Sequence, residues 1–161
     1  MERKLNTWLL PQKLPCILIA LLLVGCDRGD NSTAPGNTMQ PFAPGQVWTY
    51  NTRSGEKASR IVICRVETDP KLGQVVHIHV NGVRLKNDRV PGGFSDQIGH
   101  MPYSGKALRE SLTMLESTGA ALPDFEGGYQ EWRGEFDKGK AGVWTAPVSE
   151  AIAAMESTLN Q

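Results

Sequence analysis

All three histidines of the chain fall between positions 77 and 100. In VVHIHV, the two-residue period of a strand puts His77 and His79 on one face, opposite Val76, Ile78 and Val80. Neighbouring imidazoles there could offer two nitrogens to one Zn²⁺, with His100 or Asp96 completing three ligands and leaving a position for water. That set would serve a metal-dependent hydrolase. It lacks a recognisable general base, and two ligands alone set neither the metal nor its geometry. The simpler reading places both rings on the solvent side of a strand whose other side is core.

Other candidate constellations are less complete. Ser95, Asp96 and His100 have the residue types of a hydrolytic triad, but GGFSDQ departs from the G-x-S-x-G elbow at its last glycine. GEFDKGKA, from Gly134, has the spacing of a phosphate-binding loop. It ends in alanine where Mg²⁺ needs Ser or Thr, and Glu135 and Asp137 would repel phosphate. Phe125, Tyr129, Trp132 and Phe136 recur at helical spacing and could form a ligand platform; such a stripe also supplies buried area to a small core.

These residues need elements to position them. GQVWTYNTR alternates, with Val47 and Thr49 opposite Trp48 and Tyr50, and SRIVICRVE is β-branched enough for a central strand in which Cys64 is a small buried apolar group. DPKLG predicts a turn, and Asn81–Gly82 predicts a hairpin between QVVHIHV and VRLK. Residues 87–103 read as an irregular segment. A helix follows from an N-cap at Ser104, with Leu108, Leu112 and Leu115 on one stripe and Gly119 ending it. The aromatic stripe predicts a second helix, AGVWTA a short last strand, and PVSEAIAAMESTL a third helix. That helix is capped near Thr145 or Ala146, with Val148, Ile152, Met155 and Leu159 facing inward. The sum is an α+β domain: a mainly antiparallel sheet of four to five strands with about three helices packed on one face.

Charge balances over the 161 residues, at 17 basic and 17 acidic. It does not balance along them. Between Arg53 and Arg89 basic residues outnumber acidic ones eight to four, and between Glu110 and Asp137 acidic residues lead seven to one. A basic sheet could meet an anionic partner such as lipid headgroups or an envelope polymer; the plainer reading is solvated faces attracting each other. Nothing in the pattern suggests a nucleic-acid partner.

The N-terminal residues carry the most specific signal. Arg3, Lys4 and Lys13 precede an apolar run from Leu14 to Gly25 that is too short to span a bilayer and suits an export signal. It ends in LVGC, Leu23 to Cys26, which resembles the lipobox of bacterial lipoproteins. The resemblance implies diacylglyceryl transfer to the Cys26 sulfur, cleavage between Gly25 and Cys26, and acylation of the new N-terminus by a fatty acid such as palmitate. Two or three acyl chains make attachment effectively permanent. Asp27 resembles the inner-membrane retention signal of enteric bacteria. With Cys16 removed and Cys26 acylated, Cys64 would be the one thiol left, so no disulfide forms within the chain.

The tract after Cys26 is polar and rich in Gly, Pro, Ser and Thr, a tether spanning on the order of 20 to 25 Å. The expected organisation is a cleaved signal over 1–25, a lipidated tether over 26–43 and one globular domain over 44–161. The expected role is a non-enzymatic binding or accessory module in the cell envelope, facing the periplasm and meeting a protein or anionic polymer there. The rival is a zinc hydrolase built on His77, His79 and His100.

Overall fold

The computed structural model describes residues 40–160. Five strands form one sheet: β1 (Val47–Tyr50), β2 (Arg60–Asp69), β3 (Gly73–Lys86), β4 (Phe94–Ser104) and β5 (Leu112–Ser117). Their order is β4-β3-β2-β1-β5, and each neighbouring pair is antiparallel. Three helices complete the domain: α1 (Gly105–Ser111), α2 (Glu126–Phe136) and α3 (Val148–Leu159). The α+β class read from the sequence is the class observed.

The β2–β3 hairpin closes where DPKLG predicts a turn. Asp69 Oδ1 accepts from the backbone N–H groups of Lys71 and Leu72, and Gly73 takes φ +72. Asn81–Gly82 does not make a hairpin. β3 continues through it to Lys86, so VRLK is the end of β3, and the segment expected to be irregular is largely β4. The alternation of β4 is broken by an extra residue opposite His79, which spaces its core residues as Ile98, Met101 and Tyr103.

The first helix also stops early. Leu112 turns to φ −74, ψ 149 as its C-cap, and the residues expected to continue the helix instead pair with β1 as β5. Ser111 marks the change: its hydroxyl donates to the Ala107 carbonyl and accepts from Val148 N–H, tying α1 to the start of α3. AGVWTA contributes only a parallel bridge from Trp144 to Tyr103. Ser104 caps α1 as expected, whereas the N-cap of α3 is Pro147.

The helices divide between the faces of the sheet. Ile61, Ile63, Val76, Ile78, Val80, Met101 and Tyr103 pack with Leu108 of α1 and with Val148 and Ile152 of α3. Burying each large aliphatic contributes about 1.5–3 kcal/mol. On the opposite face Val75 lies under Tyr129 and Trp132 of α2, so α2 does not share the face that α1 and α3 cover. Cys64 is buried, and burial pushes its thiol up to about 11.

The domain takes in part of the expected tether. Phe42 is buried edge-on against Trp48, with the Arg109 guanidinium 3.6 Å above its ring. Gly25 and Cys26 lie outside the described residues, among which no helix is long and apolar enough to cross a membrane. Of the two charged stretches, Arg60 of β2 meets Glu116 of β5, while Arg53 of the β1–β2 loop pairs outside them with Glu156 of α3.

The Tyr103 hydroxyl is buried with no hydrogen-bond partner among the described residues, and burial raises its pKa. Leaving such a group unsatisfied costs about 1–3 kcal/mol. Tyr103→Phe is therefore expected to leave stability unchanged or raise it by about 1 kcal/mol in urea unfolding. A loss beyond about 1 kcal/mol would mean that the hydroxyl is bonded.

Candidate functional site

Two irregularities in the sheet assemble the histidine cluster. Along β2, simple alternation would keep Arg65 and Glu67 on the side of Ile61 and Ile63. The register shifts between Ile63 and Arg65, leaving Cys64 without a cross-strand partner and turning Arg65 and Glu67 to the opposite face. There Arg65 faces His77, and Glu67 faces Val75. The shift in β4 places Gly99 and His100 opposite His79 and brings the His100 ring beside His77.

The result is a chain of polar groups beneath α2. Glu67 Oε1 accepts from His77 Nε2 at 3.1 Å and from Arg133 Nη1 at 2.9 Å, and Oε2 accepts from the Tyr129 hydroxyl at 3.2 Å. Arg65 Nε lies 3.6 Å from Oε2. On the far side of the ring, His77 Nδ1 is 2.9 Å from His100 Nε2, with the two rings nearly parallel at 12°. His77 has no exposed surface, and Tyr129 and Trp132 meet it edge-on at 5.0 and 4.8 Å between centroids.

An ionised carboxylate only accepts, which fixes the protons along this chain. His77 carries its proton on Nε2 toward Glu67, so Nδ1 accepts and His100 donates from Nε2. His100 then keeps Nδ1 as an acceptor. The ring lines a surface groove of about 440 Å³ together with Trp132, Glu131 and Lys140. The helix passes close above it: a Cβ on Gly128 would lie 2.8 Å from His100 Cβ.

Electrostatics keep the cluster in this state. Burial works to raise the Glu67 carboxyl, but hydrogen bonds from Arg133 and His77 outweigh it and hold the group below the usual carboxylate range. Burial lowers His77, against the pull of Glu67 and with help from Arg65 and Arg133. Burial and the neighbouring His77 lower His100 to about 4. Burial likewise lowers His79, opposed by its bond to the Gly99 carbonyl at 3.3 Å.

Chemically, the arrangement can relay a proton between the groove and Glu67, and it ties α2 to three strands. No family model, curated protein or solved structure matches the chain. The geometry alone therefore supports a reading. Both nitrogens of His77 are occupied, so it has no lone pair for a metal while these bonds stand, and His79 bonds elsewhere. Among the described residues no three His, Cys, Asp or Glu side chains are placed to hold a metal ion.

The remaining sequence candidates lie apart. Ser95 accepts from Asn87 near the start of β4, about five strand steps of roughly 3.3 Å from His100. Gly134 and Glu135 belong to α2, so that glycine-spaced segment does not wrap a loop around phosphate. Tyr129 and Trp132 are buried as core, and Phe125 and Phe136 are half-buried against them. Glu67 and Arg133, which complete the cluster, carry no motif. The one sequence signal for Glu67 is an acidic residue at the end of a nearly continuous apolar strand.

A native histidine held below its ordinary value binds fewer protons than the unfolded chain does, so stability falls as pH falls. The stabilisation is complete above the ordinary imidazole value of 6.5 and is lost as pH drops toward about 4. Urea unfolding between pH 7.5 and pH 4 is expected to show its steepest loss in that window, with a shallower slope in His100→Gln. Equal stability at both ends of the range would contradict the buried neutral pair.

Proposed function

We propose that the chain is a lipid-anchored protein of the bacterial envelope, whose folded domain faces the periplasm and binds a partner without catalysing a reaction. The observation that carries the reading is LVGC at the end of a short apolar run behind a basic cluster. The acyl chains on Cys26 would supply the membrane contact, and the polar tract would give the domain its reach. Asp27 favours the inner membrane.

The absence of catalysis is supported from the domain itself. Its most chemistry-like cluster has both oxygens of Glu67 bonded to α2, and both nitrogens of His77 bonded to Glu67 and His100. Burial makes His100 too weak a base for proton abstraction near neutral pH, where general bases work best with a pKa near the working pH. The partner class is a periplasmic protein or an anionic envelope polymer. No cofactor enters this reading, and zinc belongs to the rival one.

Expression of the full chain in a bacterial host with radiolabelled palmitate tests the anchor. Label is expected in the membrane fraction, on a product beginning at Cys26, and is expected to vanish in Cys26→Ser. A soluble cytosolic product with residues 1–25 intact and no label overturns the proposal. Crosslinking in intact envelopes is expected to recover a defined partner from the wild-type chain.

A further inference from the structure

The helix α2 is weakly held by its own backbone. Gly127, Gly128 and Gly134 interrupt it, and its N-cap, Phe125, makes no side-chain bond. Tyr129 and Trp132 are its only buried residues. Gly139, at φ +70, and Gly142 follow as joints in the chain behind it. The core beneath α1 and α3 shares no residue with the cluster beneath α2, so departure of α2 takes no side chain from that core.

Beneath the helix lie two imidazoles joined nitrogen to nitrogen. His77 Nδ1 and His100 Nε2, 2.9 Å apart, form a hydrogen bond only while one donates and the other accepts. One added proton can enter at His100 Nδ1, from the groove, and leave that bond in place. A second cannot. It sets N–H against N–H and puts two positive rings 5.1 Å apart between centroids.

The charges around the pair do not relieve this. Glu67 and Arg65 face His77 from β2, and Tyr129 and Arg133 face it from α2, with Asp137 bound to Arg133. Glu131, Glu135 and Lys140 line the groove at His100, and Lys138 pairs with Glu135. Four carboxylates thus meet four cations, and burial decides the protonation of the rings. It lowers both imidazoles in the closed form.

We propose that α2 is an acid-released latch: proton uptake by the His77–His100 pair frees it from the sheet and uncovers Val75, Tyr129 and Trp132, while the layer beneath α1 and α3 stays folded. Once α2 lifts, both rings regain the ordinary imidazole value of 6.5. The open form then holds two protons that the closed form excludes, so the open population rises as the square of the proton concentration below that value. Glu67 acts in the same direction, but only as pH nears its ordinary 4.5. His79 bonds the Gly99 carbonyl within the sheet and does not join the pair.

Hydrogen exchange of the full-length chain in detergent, read by mass spectrometry and corrected for the intrinsic pH dependence of exchange, tests the latch. Protection of the α2 amides is expected to fall about sixtyfold from pH 6 to pH 5, while that of the α3 amides holds. His100→Gln keeps an N–H for His77 Nδ1 but takes up no proton, and is expected to reduce the fall to about eightfold. In Gly134→Ala the added methyl meets nothing within 4 Å, and α2 protection is expected to rise about fivefold at both pH values with the same fall between them. The proposal is overturned if α2 protection does not change with pH, if α3 loses protection in step with it, or if His100→Gln falls as steeply as wild type. Equal gains in α2 and α3 from Gly134→Ala also overturn it, because α2 would then open only with the whole domain.

Discussion

One carboxylate ties the helical layer on the second face of the sheet to the strands beneath it. Glu67 accepts from His77, Arg133 and Tyr129, drawing donors from β3 and from two positions of α2 onto a residue of β2. Three glycines weaken α2 as a helix in isolation, and each costs about 1 kcal/mol relative to alanine. Its stability must therefore come from what it touches, and its underside combines aromatic area with this one anionic hub. Removing the hub would leave buried His77 Nε2 without its acceptor and would take from Arg133 and Tyr129 their bonds to the sheet, with only Asp137 left to Arg133.

The two sheet faces rest on different physics. Beneath α1 and α3 the contacts are mostly apolar, aliphatic side chains with Trp48, Tyr50 and Tyr103 among them. Beneath α2 the donors and acceptors must match, because a buried polar group without a partner is penalised more than a poorly packed methyl. The same contrast marks the opposite end of the domain, where Glu56 and Arg53 hold the backbone of Arg84, which a register shift takes out of the β3–β4 ladder. Both polar assemblies sit where a strand departs from regular pairing.

That coincidence explains what could be read in the sequence. The runs that became β2 and β3 were legible from their β-branched content, and α2 and α3 from the spacing of Tyr129 and Trp132 and of Val148 and Ile152. The shared face of His77 and His79 followed from the strand period, and His100 was expected to be their neighbour, though from a loop. β4 was hidden because its bulge puts Ile98, Met101 and Tyr103 out of simple alternation. Glu67 was hidden for the same reason: without the extra residue at Cys64, the period points it toward the aliphatic core. Local turn preference at Asn81–Gly82 was real but expressed as a bulge, since β4 offered β3 a longer ladder than a hairpin would allow. Leu112 and Leu115 fit a helix as well as they fit β5, and the free edge of β1 decided between them.

The passage of Gly128 over His100 links two positions that are far apart in the chain. A methyl group at 128 would meet His100 Cβ at 2.8 Å, an atom that every residue except glycine carries at position 100. In diverging copies of this gene, position 128 should consequently stay glycine whatever side chain position 100 carries, unless the helix itself lifts from β4.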